Sequence, residues 1–310
     1  MPAPQVSVVL PTRDRSAMLR KSLRSALDQE GVVLEVIVVD DGSVDDTTRE
    51  LDRIEDERLT VIHHQTAKGL AAARNAAIAR ANGEWVAFLD DDDFWAPAKM
   101  RTQLTEATEE GLSLSYTATY MADQDLSALR VTQRPDPKGL ERRLLLSNAI
   151  PSASCVAVRA ELINRIGAFD EQLPALEDWD LWIRALPIAR AGGCEQPLIA
   201  TRIHAEGMSM DPTRMLAAFD LLRKKHGKRA RRAGIEFGAA WLARYKAARD
   251  LAAGLRLRAA RGYLRCAILE RNPHHAARAL GALGGQPFQR VHRRSMARMI
   301  SQPDWLERHA

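Results

Sequence analysis

The sequence predicts an α/β fold in which a Rossmann-like, mostly parallel sheet is flanked by helices and followed by an α-helical C-terminal extension. Two observations indicate this class. Short β-branched runs alternate with longer amphipathic segments in the first half of the chain, and from about Thr213 the composition shifts to Ala, Arg and Leu. With 310 residues, of which 46% are hydrophobic and 27% charged, the chain can bury a core, so disorder is not expected.

Most of the predicted strands are apolar runs that contain β-branched residues, which are typical of strands buried within a parallel sheet. The strand near Leu114–Met121 is instead rich in Ser, Tyr and Thr. In chain order the predicted strands are Val6–Leu10, Leu34–Val39, Leu59–His63, Glu84–Leu89, Leu114–Met121, Ser154–Val158 and Leu198–Thr201. The predicted helices fill the intervals, and the alanines of Leu70–Ala81 allow close packing on a sheet. The others are Ser16–Gln29, Asp45–Ile54, a segment from Pro97 to about Glu110, Arg159–Ile166 and one that starts near Glu177.

The sequence predicts less detail for two parts of the chain. The polar segment from about Tyr120 to Ile150 contains Pro135, Pro137 and Gly139, and no fold is predicted for it. Beyond Thr213 the sequence predicts several helices. They are expected to break at Gly227, Gly234, Asn272-Pro273 and Gly284-Gly285.

The charge is divided unevenly along the chain. Residues 1–210 contain 23 Lys and Arg against 33 Asp and Glu, a net charge of −10, while residues 211–310 contain 22 against 7, a net charge of +15. Clustered carboxylates in the acidic part suggest metal or cation chemistry. The basic part suggests a polyanionic partner, such as lipid headgroups or nucleic acid.

Several classes of protein are disfavoured by the sequence. No apolar run approaches the roughly 18 to 20 residues of a membrane-spanning helix, and Val6–Leu10 is too short for a signal peptide. The three cysteines are isolated from one another, so disulfides and structural zinc are not expected. We therefore expect a cytoplasmic protein.

Polar clusters follow three of the predicted strands, at 11–14, 40–43 and 90–93. Ligands of open α/β sheets bind at the carboxyl ends of the strands, so we expect these clusters to converge on one edge. The middle cluster, Asp41-Gly42-Ser43, is equally typical of a turn followed by a helix cap. The first cluster lacks the glycines of a Rossmann dinucleotide site or a P-loop, which disfavours NAD, FAD and Walker-type ATP binding.

The four consecutive aspartates Asp90–Asp93 carry like charges that repel one another. A bound divalent cation removes this repulsion, and hard oxygen ligands suit Mg²⁺ or Mn²⁺ bridged to substrate phosphates. A solvated acidic loop is the alternative. Arg74 could face the same edge and meet phosphate or nucleobase, or it could be an exposed helix charge.

Four segments together resemble the inverting nucleotide-sugar glycosyltransferases of glycosyltransferase family two, which have the GT-A fold. They are VSVVLPTRDR, VIVVDDGSVDDT, KGLAAARNAAIARANGEWVAFLDDDDFWAP and PALEDWDLWIRA, and the match covers about residues 5–210 in order. The resemblance implies a nucleotide-sugar-binding half at 1–105 and an acceptor-binding half at 106–210, while charge and composition mark 211–310 as a basic helical region. It also implies a UDP- or dTDP-sugar as the first expected donor.

Carried over by residue, the resemblance places Pro11, Thr12 and Arg13 at the nucleotide and Asp41 at its base. Arg74 would lie near the base or diphosphate. Asp90-Asp91-Asp92 overlays the DxD signature of the family, with Asp92 as metal ligand and Asp90 and Asp91 nearer the ribose and diphosphate.

The downstream pair Glu177-Asp178 matches the position of the family's catalytic base, with Asp178 as the base and Glu177 beside it at the acceptor site. Without the resemblance, an acidic first helical turn that complements the helix dipole explains the pair equally well. His204 lies where related enzymes often carry a histidine near the metal, and a surface histidine is the alternative. No QxxRW motif of the processive synthases occurs, so transfer of one sugar per encounter is expected.

The expected function is thus metal-dependent, inverting, non-processive transfer of a sugar to a glycan or lipid-linked acceptor. A sugar-nucleotide nucleotidyltransferase is one alternative, although its glycine-rich loop is missing. A nucleic-acid-binding protein that uses the basic region is another, but that region lacks interleaved aromatics and zinc or helix-turn-helix signatures, so nucleic acid is not an expected partner. The basic region could contact the inner face of the membrane, pack on the acidic part or form a homodimer interface.

Overall fold

The computed structural model describes residues 5–123, 126–203, 211–284 and 303–307. Its strands are β1 (Val6–Thr12), β2 (Leu34–Asp40), β3 (Leu59–His63), β4 (Trp85–Phe88), β5 (Phe94–Trp95), β6 (Leu114–Tyr116), β7 (Ala118–Ala122), β8 (Ala128–Thr132), β9 (Val156–Arg159), β10 (Ala191–Gly192) and β11 (Pro197–Arg202). Its helices are α1 (Ser16–Leu27), α2 (Thr47–Leu51), α3 (Leu70–Ile78), α4 (Lys99–Glu109), α5 (Leu140–Leu146), α6 (Ala160–Ile166), α7 (Glu177–Ala185), α8 (Pro212–Arg232), α9 (Ala239–Ala252), α10 (Arg256–Glu270), α11 (273–284) and α12 (Asp304–Glu307).

The larger of two sheets has seven strands in the order β10-β6-β9-β4-β1-β2-β3, and β9 is its antiparallel strand. Every residue of β1 is buried, as its apolar run predicts. Helix α3 packs on β1 and β2, and α4 packs on β6. The predicted mostly parallel sheet flanked by helices is confirmed. A smaller mixed sheet has the order β5-β11-β7-β8.

Two predictions about the elements need correction, and the structure adds elements to one segment that had no predicted fold. The single strand expected at Leu114–Met121 is two strands, because β6 pairs in the larger sheet and β7 in the smaller one, with the change at Thr117. The segment without a predicted fold contains β8 and α5. Helix α8 does not break at Gly227, since one interior glycine costs only about 1 kcal/mol, and the buried face that includes Leu222 and Ala230 continues through it.

The chain divides into two compact units. The first comprises residues 1–137, 150–218 and 302–310, and it contains both sheets. The second comprises 138–149 and 219–301. Its described residues form a core of alanines and one tyrosine contributed by α9, α10 and α11. The predicted regions 1–105 and 106–210 thus both lie in the first unit, except for residues 138–149.

Candidate active site

The carboxyl ends of β1, β2 and β4 lie side by side, because these strands are parallel neighbours in the sheet. Pro11 and Thr12 end β1 and are buried. Asp41 donates its backbone N–H to the Thr12 carbonyl at 2.9 Å, and Thr12 Oγ1 donates to Asp91 Oδ2 at 2.8 Å. The structure therefore brings the polar residues after these three strands together at one edge.

The four consecutive aspartates at this edge alternate in burial. Asp91 and Asp93 are buried, whereas Asp90 and Asp92 are partly exposed. Burial and then the neighbouring charge of Asp92 raise the pKa of Asp91 to about 7. Burial likewise raises the pKa of Asp93 well above its usual range, and Asp92 and Asp90 add to that shift. Because two of the four carboxylates are inside the protein, the run is not a solvated acidic loop.

Arg15 supplies positive charge to the acidic run Asp90–Asp93. It is not among the site residues predicted from the sequence. Its Nη1 donates to Asp91 Oδ1 at 3.0 Å and to Asp92 Oδ2 at 2.8 Å. Burial acts to lower the pKa of Arg15, but the charges of Asp91 and Asp92 outweigh it, and the pKa is raised. The available sequence signal is two basic residues, Arg13 and Arg15, in the turn after the first strand, and it does not distinguish which of them pairs with the acidic run.

Arg74 joins the acidic run to the downstream acidic pair. It lies on α3, is 2% exposed, and donates through Nη2 to Asp90 Oδ1 at 2.6 Å and through Nη1 to Glu177 Oε1. Its guanidinium carbon lies 5.2 Å from the centre of the Phe169 ring. Burial acts to lower the pKa of Arg74, but Asp90, Glu177 and Asp178 outweigh it and raise the pKa. Arg74 is thus a buried ionic bridge and not an exposed helix charge.

The downstream pair lies in the first turn of α7. Glu177 is buried against Arg74, whereas Asp178 is partly exposed, with Oδ1 accepting the N–H of Trp179 at 2.7 Å. Leu176, just before the helix, has a left-handed φ of 60°, which costs a non-glycine residue about 1 kcal/mol. Of the two carboxylates, that of Asp178 is the more accessible to an acceptor.

Asp41 holds the loop that leads into α3. Its carboxylate accepts the backbone N–H groups of Lys68 and Gly69, each at 2.8 Å, and His64 Nδ1 lies 2.7 Å from Oδ1. Burial acts to raise the pKa of Asp41, but these hydrogen bonds outweigh it and lower the pKa. The predicted contact of Asp41 with a nucleotide base stays a prediction, since in this structure the carboxylate is bonded to the loop.

The turn after β2 lies close to the loop after β3 and to the turn after β1. Gly42 has a φ of 73°, and a Cβ at this position would lie 2.7 Å from the backbone nitrogen of Ala67. Asp14, itself at a left-handed φ of 52°, accepts the N–H of Val44 at 2.7 Å. Arg13 is exposed at this turn, with Nε 3.4 Å from Asp14 Oδ2. Its guanidinium is therefore open to an anionic ligand at the sheet edge.

Strand β11 ends beside the acidic run. Asp93 accepts hydrogen bonds from Ser152 Oγ at 3.1 Å, Thr201 Oγ1 at 3.5 Å and the backbone N–H of Arg202 at 3.3 Å. It therefore fastens the turn after β4 to the loop before β9 and to the end of β11. The predicted metal ligand His204 follows this strand in sequence, but it lies outside the described residues.

Asp92 is the carboxylate predicted to hold a divalent metal. In the part of the chain that the structure describes, no three His, Cys, Asp or Glu side chains are arranged to hold a metal ion. The donor set still fits Mg²⁺ or Mn²⁺, because such ions are commonly held by one or two carboxylates together with substrate phosphates and water. Asp92 already faces a cation, the Arg15 guanidinium, at 2.8 Å.

The sequence matches the profile described as "Glycosyl transferase family 2" over residues 7–167, which is more than half of the chain. The matched span contains the acidic run, Arg15 and Arg74. The chain belongs to glycosyl transferase family 2. This family 2 enzyme is accordingly a glycosyltransferase, as predicted.

Relatives and solved structures agree with this assignment. The family 2 enzyme is 30% identical over 183 residues to UDP-Glc:alpha-D-GlcNAc-diphosphoundecaprenol beta-1,3-glucosyltransferase WfaP of Escherichia coli, across 58% of this chain and 70% of that protein. S. aureus TarS 1-349 in complex with UDP-GlcNAc matches with a TM-score of 0.55 and 22% identity, across 66% of this chain and 60% of that one. Mannosyltransferase PcManGT from Pyrobaculum calidifontis, in complex with GDP-Man and Mn²⁺, matches with a TM-score of 0.53 and 20% identity, across 99% and 84%. These likenesses confirm the GT-A fold.

Proposed function

We propose that this glycosyltransferase moves a sugar from a nucleoside-diphosphate sugar, with UDP- or dTDP-sugars as the expected donors, to a hydroxyl of a glycan or lipid-linked acceptor. The observation that carries the proposal is the Arg74 bridge. It links Asp90, at the strand edge where a donor would bind, to Glu177, beside the carboxylate that would meet an acceptor. The name of the Escherichia coli relative, with UDP-Glc as donor and a diphosphoundecaprenol acceptor, supports both substrate classes.

On the donor side, the residues at the strand ends would surround the nucleotide. They are Pro11, Thr12, Arg13, Asp41, Arg74, Asp90 and Asp91. Two cations, Arg15 and Arg74, lie against the acidic run, and Arg13 is exposed nearby. A diphosphate carries negative charge that guanidinium groups recognise well, so this combination supports binding of a nucleoside diphosphate at an otherwise acidic edge.

The metal prediction belongs to the same proposal. Asp92, together with His204, would hold Mg²⁺ or Mn²⁺ against the diphosphate of the donor. A divalent cation there supplies positive charge that stabilises the leaving diphosphate. The solved structure of PcManGT, named with Mn²⁺, supports a metal in an enzyme of similar fold.

On the acceptor side, Asp178 acts as general base. Its carboxylate takes the proton of the acceptor hydroxyl while that oxygen bonds to the anomeric carbon. The bond from the anomeric carbon to the diphosphate oxygen breaks at the same time, and the diphosphate leaves with the electron pair. This direct displacement inverts the anomeric centre. Glu177, paired with buried Arg74, positions the helix turn that carries Asp178.

The acceptor also bears on where the enzyme acts. A lipid-linked acceptor would place the reaction at the inner face of the membrane, with one sugar transferred per encounter. The basic region 211–310, with a net charge of +15, would be attracted to that surface, since anionic lipids attract each nearby Lys or Arg by about 1 kcal/mol.

The proposal is tested with the purified chain and UDP-, dTDP-, GDP- and CMP-sugars, with and without Mn²⁺. Thermal shift and hydrolysis should identify a donor that depends on the metal. Asp92→Asn should abolish metal-dependent donor binding in calorimetry. Asp46→Asn is the matched control, because Asp46 is an exposed aspartate on the first unit that pairs only with nearby Arg49 among the described contacts. Unchanged donor and metal affinity in Asp92→Asn would contradict the assignment.

A further inference from the structure

The second unit exposes an apolar stripe on α10. Leu257, Leu264 and Ile268 are 69%, 51% and 71% exposed, and their spacing of seven and four residues places them on one side of the helix. The opposite side of α10 is buried and packs against α9. Large aliphatic side chains that cluster on one exposed face, instead of being scattered singly, indicate a surface that contacts another molecule or a membrane.

Arginines border this stripe along one edge. Arg258, Arg261 and Arg265 are exposed, and at 100° per residue they lie on the same side of the apolar line. From Arg256 to Leu269 the helix contains no acidic residue. We call the six residues Leu257, Arg258, Arg261, Leu264, Arg265 and Ile268 the α10 face. Arg265 Nη2 lies 3.3 Å from Glu236 Oε2, whereas Arg258 and Arg261 have no acidic partner among the contacts that the structure describes. The face therefore combines exposed aliphatic area with the positive charge of these two arginines.

We propose that the α10 face docks on an anionic lipid surface, with the helix lying in the plane of the membrane. Leu257, Leu264 and Ile268 enter the boundary between headgroups and acyl chains, and the arginines meet lipid phosphates. No helix within the described ranges is long and apolar enough to cross a bilayer, so contact of this kind would be peripheral. The inference deepens the proposed function and rests on it, because a lipid-linked acceptor lies in such a surface.

Charge decides between lipid and the other candidate occupants. In a symmetric contact, a second copy of the chain would bring another strongly basic region, net +15 over residues 211–310, against the same arginines. Residues 285–302 of this chain contain four arginines and no acidic residue, so they do not complement the face either. A nucleic acid would satisfy the arginines but would leave the three aliphatic side chains in water. An anionic bilayer is the partner that matches both features.

The experiment measures co-sedimentation of the full chain with vesicles. One set contains equal parts of phosphatidylcholine and phosphatidylglycerol, and the other contains phosphatidylcholine alone. The apolar variant combines Leu257→Gln, Leu264→Gln and Ile268→Gln, and the charge variant combines Arg258→Gln with Arg261→Gln. The matched controls are Ile188→Gln, at an aliphatic side chain of the first unit that is 47% exposed, and Arg53→Gln with Arg80→Gln, at two exposed arginines of that unit.

We expect the wild type and both controls to bind the anionic vesicles and not the neutral ones. The charge variant should bind about 25-fold more weakly, at about fivefold for each arginine. The apolar variant should lose binding even at low salt. All altered side chains are exposed, so circular dichroism should be unchanged. Donor binding in solution should also be unchanged, which separates loss of the docking surface from failure of the proposed transferase function.

Three outcomes would overturn the inference. One is equal binding of anionic vesicles by the wild type and both α10 variants. Another is a wild-type dimer in sedimentation that becomes a monomer in the apolar variant, since the face would then belong to a second copy. The third is binding of duplex DNA by the wild type that competes with the vesicles and is unaffected in the apolar variant. If no sugar nucleotide binds but the vesicle results are as expected, the docking surface stands and the proposed function fails.

Discussion

Replacing Arg74 with methionine should destabilise the protein by about 3 kcal/mol. The substitution keeps a long side chain but leaves Glu177 buried without its cation. Removing one partner of a buried ion pair costs about 3–5 kcal/mol, because the remaining charge stays desolvated. The other partner, Asp90, has a side chain that is 31% exposed and can be hydrated by water. Most of the loss therefore comes from Glu177, which places the effect at the lower end of that range.

The assay is urea unfolding at neutral pH, with Arg80→Met as the matched control at an exposed arginine just beyond α3. The control should change the free energy of unfolding by no more than about 0.5 kcal/mol. Adding Glu177→Gln to Arg74→Met removes the unpaired charge, so the double variant should recover part of the lost stability. A single variant within about 1 kcal/mol of the wild type, or a double variant less stable than the single one, would refute the ionic bridge.

Three further predictions concern Asp178, Lys99 and Gly42 of the first unit. Asp178→Asn should keep donor affinity in calorimetry and lose transfer by at least about 100-fold; wild-type rates would move the base to another residue. Burial lowers the pKa of Lys99 to about 7, so at this residue the folded protein binds fewer protons than the unfolded chain from about pH 7 to pH 10, and Lys99 contributes a positive slope of stability against pH there. Lys99→Met should remove this slope and raise the free energy of unfolding at pH 7 by on the order of 4 kcal/mol, and an unchanged slope would show that Lys99 is not its source. Gly42→Ala should cost about 2 kcal/mol more than Gly139→Ala in urea unfolding: both have a φ of 73°, but only Gly42 has backbone within 3 Å of the added carbon. Equal costs would mean that the 66–67 loop moves away freely.

The parallel core was predictable because strands that are buried on both faces of the sheet appear in the sequence as continuous apolar runs. The continuous apolar runs of β1 and β2 mark them as strands without any knowledge of their neighbours. Strand β8 and helix α5 leave no such mark. Residues Ala128–Thr132 form a strand by pairing with β7, and α5 packs against α9 and α10. Elements that depend on distant partners are invisible to local patterns.

The candidate site likewise contains features that local sequence patterns predict and features that depend on distant partners. Convergence of the strand ends follows from parallel topology, so the cluster around Thr12 and Asp91 could be expected from the sequence. The bridge from Arg74 to Glu177 joins residues 103 positions apart, and no local pattern pairs them. Arg15 was missed because the turn after β1 also contains Arg13, and the sequence does not indicate which arginine turns toward the aspartates. The roles assigned to Asp92 and Asp178 come from family resemblance and stay predictions.

The aspartate run looks redundant in the sequence, yet the fold gives its four members different sets of contacts. Arg15 is shared by Asp91 and Asp92. Asp90 meets Arg74, Asp91 meets Thr12, and Asp93 holds the end of β11. Deleting a single aspartate codon would leave three acidic residues and an intact DxD string for any motif search. Each carboxylate after the deletion would nevertheless be shifted by one position along the chain and would lose its present contact. The role of each aspartate in this run therefore depends on its position. Variants that change the length of the run but keep its composition should impair the enzyme as much as variants that remove its charge.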